Sequence, residues 1–512
     1  MRIEHSIKNI SMSIMSQVVI ILLGFVSRKI FIDSLGTEYL GINGLLTNVL
    51  SAMVLIEGGI GISIVYNLYK PLAEGDRPKI IALIGLYKKA YFTLAIIMLC
   101  ISYSLYPFLN KLMNTDSNIP GLGIVYFIFV MKNVCSYLYA YKWAIINSDQ
   151  RGYYLTKNNL IFQVISMIAK IIILIISKSY ILYLIIEFII FIIQNTVNSR
   201  IVNKLYPYLK TKEKYEIDYD TKNNIKNNVK AMFIQNIGSY AIYSTDNIII
   251  SSIINVSVVG IYSNYTMIIG QLSSLVSSVI GGISNSVGNL IATESREKVY
   301  SVFKISYFVS FWLYSFSSIF LYNLLEPFIN WWIGNGYLLG KITFIVILFN
   351  FYINGLRTPI NIFKSKSGLF AQDKYAAIIE GIINLLVSIV LAKKYGIVGV
   401  FLGTTVSYLA LSFWNQPRIV YKEVFKIPLN SYFKKYIYYF LLTLINGFIT
   451  TICCNILVSG NNFLCLVIKG IICVIVTNIV YVVIFFKTDE FKYLFNIIKP
   501  IFIKIKHKFA LN

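Results

Sequence analysis

The sequence predicts an all-α polytopic membrane protein of about 14 transmembrane helices. They form two pseudo-symmetric six-helix lobes around a central cavity, with two further helices at the C-terminal end. Three observations predict this class. The 512 residues are 57% hydrophobic and only 13% charged, more apolar surface than a water-soluble core of this size can hide. The apolar residues fall in runs as long as the roughly 20 residues that a helix needs to cross the hydrocarbon layer. A β-barrel would alternate in segments of roughly ten residues instead. A weak repeat also relates the first half of the chain to the second at an offset of 219 residues.

The first lobe (residues 1–200) carries spans at 10–33, 41–67, 80–106, 121–147, 155–177 and 179–200. A polar cytoplasmic linker (201–228) follows, within KLYPYLKTKEKYEIDYDTKNNIKNNVK (204–230). The second lobe (229–417) has spans at 229–254, 258–290, 300–324, 339–362, 375–393 and 396–417. The remainder (418–512) has spans at 436–458 and 463–486, then a basic cytoplasmic tail. Orientation follows from the cations in alternate connections. One side receives Arg77, Lys79, Lys88, Lys142, Arg151, the 200–230 segment, Arg296, Arg357, Lys364 and the tail; the other receives only Lys111, Lys178, Lys341, Lys393 and Lys394. The positive-inside rule places the rich side, with both termini, in the cytoplasm. The repeat aligns LGINGLLTNVL (40–50) with VGIYSNYTMII (259–269) and LAEGDRPKI (72–80) with IATESREKV (291–299). Copies in the same orientation suggest two lobes about a cavity, the plan of a transporter.

The formal net charge of +24 would suggest nucleic acid in a soluble protein; here the cations are distributed to orient helices, and membrane lipids rather than nucleic acid are the expected partners. The six cysteines fall in apolar runs without paired spacing, so they read as small core residues. The two histidines, His5 and His507, lie in the terminal tails. No phosphate-binding glycine loop and no metal-ligand spacing is present, so neither catalytic residues nor a cofactor is expected. The first apolar run exceeds a signal-peptide core and lacks a small-residue cleavage site, so no cleaved signal is expected.

Polar residues inside the spans carry the functional reading, since a mid-bilayer charge costs roughly 2.5–3.5 kcal/mol on insertion scales. In the first span Ser13, Gln17, Gly24 and Arg28 are spaced by 4, 7 and 4 residues, one helical face ending in a guanidinium. Two readings stand for Arg28 and its neighbour Lys29: contact with an anion in the cavity, or snorkelling to the nearby headgroups. The seventh span carries a second stripe of Gln235, Ser239, Tyr243 and Asp246. Glu380 and Asn384 stand one turn apart in the eleventh span, and Thr404 lies in the twelfth. Oxygens of this kind suit Na⁺, or a proton on a carboxylate, as a coupling ion; interhelical hydrogen bonds use the same residue types. Lys132 and Lys170 either serve Glu187 in the sixth span or line the cavity.

The blocks SRKIFIDSLGTEYLGINGLLTNVL, EGGIGISIVYNLYKPLAEGD, STDNIIISSIINVSVVGIYSNY and LRTPINIFKSKSGLFAQDKYAAIIEGIINLLVSIVLAKKYGIVGVFLGTTVS resemble the recurring blocks of polysaccharide biosynthesis flippases. That family belongs to the multidrug/oligosaccharidyl-lipid/polysaccharide exporter superfamily. The resemblance spans almost the whole chain. It implies a V-shaped fold and movement of an undecaprenyl-diphosphate-linked oligosaccharide across the bacterial cytoplasmic membrane, for O-antigen, capsule or exopolysaccharide assembly, alongside a polysaccharide polymerase. It also implies that Arg28 holds the diphosphate, and that Asp246, Glu380, Asn384 and Thr404 fall on the helices of a sodium site. The Glu380/Asn384 pair departs from the Asn-then-Asp order of that site, and the span 258–290 contains no Lys or Arg.

Two rivals remain. A multidrug antiporter for cationic drugs favours an acidic cavity, against which Arg28 and Lys29 weigh. A membrane glycan polymerase or glycosyltransferase would show a sizeable external loop or an acidic catalytic motif, and the sequence has neither.

Overall fold

The computed structural model describes residues 2–51, 55, 57, 59–113, 121–149, 151, 153–211, 213, 215–369, 371–373, 375–460 and 462–496. Side chains of residues 2–19 and of several later helical residues lie outside that description, as does the expected basic tail from 497 onward. All regular structure among the described residues is helical, with no strand. Among the described residues, ten helices are long and apolar enough to cross a membrane. Their outward faces are apolar: Ile176 is 78% exposed, Ile456 76% and Phe448 70%. Side chains of this kind are stable at a surface only against lipid. The protein is a multi-pass membrane protein, as its composition requires.

The chain divides into two compact units, Met1–Gly260 and Ile261–Asn512. The first opens with α1 (Arg2–Ser51), broken at Gly36, where φ is 83° and ψ 178°. Only glycine takes that conformation without strain, so the first two expected spans are separated by a kink. α2 (Ile60–Glu74) ends at Gly75, and Asp76 caps α3 (Arg77–Leu105) by accepting from the Lys79 amide at 3.0 Å. α4 (Leu122–Ser148), α5 (Tyr153–Ser177) and α6 (Tyr180–Leu205) follow, the last capped by Ser179. The polar segment expected as a linker is helical at both ends: α6 runs to Leu205, and α7 (Tyr219–Tyr243) starts at the cap Asp218. The short α8 (Asp246–Ile253) and the first turn of α9 (Val256–Thr293) complete the unit. Its core packs Leu83, Ile84, Tyr87 and Tyr91 of α3 against Ile145 and Ile146 of α4 and Val202 of α6.

The second unit continues α9 and adds α10 (Arg296–Ile333), α11 (Lys341–Lys366), α12 (Ala376–Tyr395) and α13 (Ile397–Ser407). A π-turn at Tyr408–Ser412 joins α13 to α14 (Phe413–Val420), and a second at Tyr421–Phe425 ends that run. α15 (Asn430–Leu457) and α16 (Phe463–Phe485) close the unit. They lie on α10 through an aromatic core in which Phe311 stacks on Tyr439 at 4.0 Å and Phe308 meets Phe485 at 5.0 Å. The other four expected spans fall on α1, on α1's end and α2, on α7 and α8, and on α9; among the described residues these are helical but are not among the ten apolar spans.

Candidate functional site

A charge cluster inside the helices of the first unit joins three of them. Lys132 of α4, Lys170 of α5 and Glu187 of α6 each lie at least seven residues from the nearer helix end, about 10 Å along the axis. The Lys132 ammonium donates to Glu187 Oε1, and Lys170 Nζ donates to Oε2 at 3.0 Å. One carboxylate thus binds two lysines, using both oxygens. A lone charge at this depth is costly, and the triad shares that cost among groups of opposite sign.

Aromatic rings enclose the triad. Lys170 Nζ stands 5.0 Å from the Tyr183 ring centre, and Lys132 Nζ 5.8 Å from that of Phe191. Tyr183 lies one turn before Glu187 on α6, and its ring packs at 5.3 Å on Phe31 of α1. Phe31 also packs on Tyr180, which meets Tyr39 at 5.0 Å. Arg28, one turn before Phe31, lies within electrostatic range of the same Tyr183 hydroxyl. Lys132 and Lys170 thus share a single carboxylate, and Arg28 of α1 lies near the Tyr183 ring that covers Lys170.

Lys29 is directed elsewhere. It pairs with Asp33 at 3.6 Å, and both side chains are about half exposed, so the two adjacent cations of the sequence have separate environments. Ser13, Gln17, Gln235, Ser239 and Tyr243 have side chains outside those described. Asp246 is the first residue of α8, where the helix dipole favours an acid. Its Oδ1 is buried without a hydrogen bond among the described residues.

In the second unit, Asn384 and Thr404 are brought together: Asn384 Nδ2 donates to Thr404 Oγ1 at 3.1 Å, while Asn384 Oδ1 is buried and unbonded among the described residues. Glu380, one turn away, is held by a different set. Arg357 of α11 meets Glu380 Oε1 at 3.3 Å, and the Ser412 hydroxyl donates to Oε2. The same guanidinium donates from Nε to Gln416 Oε1 at 2.9 Å and lies 5.3 Å over the Tyr408 ring. The π-turn at Tyr408–Ser412 supplies two of these partners, a local widening of the kind often found at working sites. Sequence reasoning counted Arg357 only among the cytoplasmic cations. The signal that could have found it is Glu380, an acid inside an apolar span, which requires a cation from a neighbouring helix.

The sequence matches no family model and no curated protein. Its fold, in contrast, is shared with solved structures. The lipid II flippase MurJ in an inward closed conformation superposes with a TM-score of 0.63 at 17% identity, over 92% of this chain and 98% of that chain. The MATE multidrug transporter DinF-BH gives 0.56 at 14% identity, over 81% and 94%. An inward-facing MATE family transporter of the MOP superfamily gives 0.51 at 12%, over 78% and 94%. At these identities the likeness is one of fold: the chain shares the fold of these flippase and transporter structures.

Proposed function

We propose that the protein is a flippase of the polysaccharide-biosynthesis branch of the MOP superfamily. In this reading it carries an undecaprenyl-diphosphate-linked oligosaccharide across the bacterial cytoplasmic membrane by alternating access, with both termini cytoplasmic. The observation that supports it is the pair of lysines, Lys132 and Lys170, held deep in the helices on the single carboxylate of Glu187. A diphosphate drawn into hydrocarbon loses its hydration, a cost of many kcal/mol unless fixed partners replace the water. In this reading Lys132 and Lys170, with aromatic rings packed on them, are such partners, and Arg28 near Tyr183 joins them when substrate binds. A carrier of cationic drugs, the rival reading, would present net negative charge at such a site. Glu187 then serves as a resident anion: it compensates the two lysines when the site is empty and is exchanged for phosphate when substrate arrives.

The test is flipping in proteoliposomes. Movement of a fluorescent undecaprenyl-diphosphate sugar between leaflets is measured for the wild type, Arg28→Ala, and Lys132→Ala with Lys170→Ala. Loss of flipping in the variants, with normal membrane insertion, is expected. Full flipping by both variants, or uptake of a cationic dye in place of the lipid, would overturn the reading.

A further inference from the structure

A second cationic site lies in the other unit, at the start of α10. Arg296, Tyr300 and Lys304 recur every four residues, so one face of the first turns presents cation, ring, cation. Opposite them the π-turn Tyr421–Phe425 ends in Lys426, which adopts the left-handed conformation (φ 56°, ψ 43°) that side chains other than glycine rarely take. That turn brings the Lys426 side chain to the rim of a cavity of about 490 Å³, lined also by Arg296, Lys304, Tyr300, Phe425 and Glu297. Phe425 is 3% exposed and meets the Tyr300 ring at 5.3 Å, and Lys304 Nζ lies 5.6 Å from that ring's centre. The cavity thus has an aromatic wall and a cationic rim.

The cations here outnumber the acids near them: Glu490 lies within electrostatic range of Lys304 and Glu297 of Arg296. Among the described residues, none of Arg296, Lys304 and Lys426 forms an ion pair, while the nearby acids are engaged: Glu490 with Lys435 at 2.8 Å and Glu423 with Lys422 at 3.8 Å. Glu297 alone lines the cavity, in the first turn of α10. Three cations converging on a cavity with one carboxylate repel one another unless an anion joins them. The remainder of α10 is one of the ten apolar spans, so its charged end stands at the level of the lipid headgroups.

We propose that this cavity binds the headgroup of an anionic phospholipid, with its phosphate among Arg296, Lys304 and Lys426 and its glycerol backbone against Tyr300 and Phe425. This site is separate from the cluster around Glu187 and does not depend on the transported substrate. The alternative source of the same chemistry, a soluble phosphate, would not use the aromatic wall.

The experiment measures phosphatidylglycerol binding to the full chain in neutral detergent, by native mass spectrometry and by thermal stabilisation. Phosphatidylcholine and glycerol 3-phosphate serve as controls. Phosphatidylglycerol alone is expected to bind and stabilise. Lys304→Gln with Lys426→Gln is expected to weaken it about thirtyfold, roughly fivefold per lysine, without changing the melting temperature in lipid-free detergent. Glu297→Gln is expected to strengthen it, which a merely damaged site could not do. Equal binding of phosphatidylcholine, an unchanged affinity in the double variant, or equal stabilisation by glycerol 3-phosphate would overturn the proposal.

Discussion

Gly41 and Gly260 lie back to back, each occupying the space where the other's neighbour leaves no room for a side chain. A Cβ on Gly41 would stand 1.9 Å from the carbonyl oxygen of Val256, and one on Gly260 would stand 2.1 Å from that of Thr37. The relationship is reciprocal: both pairs, 41 with 260 and 37 with 256, are separated by 219 residues, the offset of the weak sequence match. Close backbone approach of this kind is how helices associate in lipid, where no hydrophobic force drives them together.

Gly41→Ala and Gly260→Ala are each expected to destabilise the protein by about 1–3 kcal/mol, the usual cost of overpacking. The obstructing atoms are backbone, so no rotamer change can relieve them. The melting temperature in detergent checks this; Gly24→Ala, with nothing within 4 Å of the added Cβ, is the control expected to leave it unchanged.

Glu187→Gln keeps the shape of the triad but removes the charge shared by Lys132 and Lys170. Under the proposed function it binds undecaprenyl diphosphate more tightly, about tenfold, and flips it more slowly because release is hindered. Weaker binding with normal folding would show that Glu187 does not compete with the substrate.

Asp246 has a buried oxygen without a partner among the described residues, the state of a carboxylate awaiting a proton or Na⁺. We propose that Asp246 takes up a coupling proton or Na⁺; Asp246→Asn is then expected to make flipping insensitive to collapse of a gradient that slows the wild type. Flipping rates measured with the proton and sodium gradients dissipated in turn check this, and equal sensitivity in wild type and variant would remove Asp246 from coupling.

Arg357 is the cation for Glu380, which is 2% exposed. Arg357→Ala leaves that carboxylate buried and uncompensated, an expected loss of about 3–5 kcal/mol. Glu380→Gln combined with Arg357→Gln is expected to recover most of it, since both charges then go together. Detergent melting of the single and double variants decides the matter.

Outside the membrane, the Asp218 carboxyl is held below its ordinary range, chiefly by the hydrogen bond from Lys79 and also by Thr221. A group depressed on folding stabilises above its unfolded value, about 3.9, and that contribution is lost as pH falls through the lower folded value. The start of α7 is thus expected to stay anchored at neutral pH and to loosen in acid. Pepsin cleavage of the segment 206–218 should rise as pH drops below about 4 in the wild type, and Asp218→Asn should be cleaved at every pH where pepsin acts. Both charged side chains are partly exposed, so the effect is local and shrinks with salt.

The helical membrane class was legible because it depends on composition and run length, which no tertiary contact alters. The site was legible only in part. Arg28 announced itself as a cation on a polar face, and Asn384 and Thr404 as polar residues in apolar spans. Whether Lys132 and Lys170 serve Glu187 was open, since they lie on three helices whose faces the chain order does not pair. Arg357 was missed because an arginine near a helix end reads equally well as a cytoplasmic anchor.

By itself, then, the sequence determined that this chain lives in lipid as a bundle of helices, because only helices satisfy every backbone group there. It also determined which residues are too costly at that depth to be idle. The tertiary structure alone decided their partners: that Glu187 takes two lysines, that Glu380 takes Arg357 and Ser412, and that Lys29 turns to Asp33 while Arg28 lies within reach of Tyr183. The physical reason is that a buried charge fixes its need for a counter-charge locally, whereas the helix that meets the need is set by packing between segments far apart in the chain.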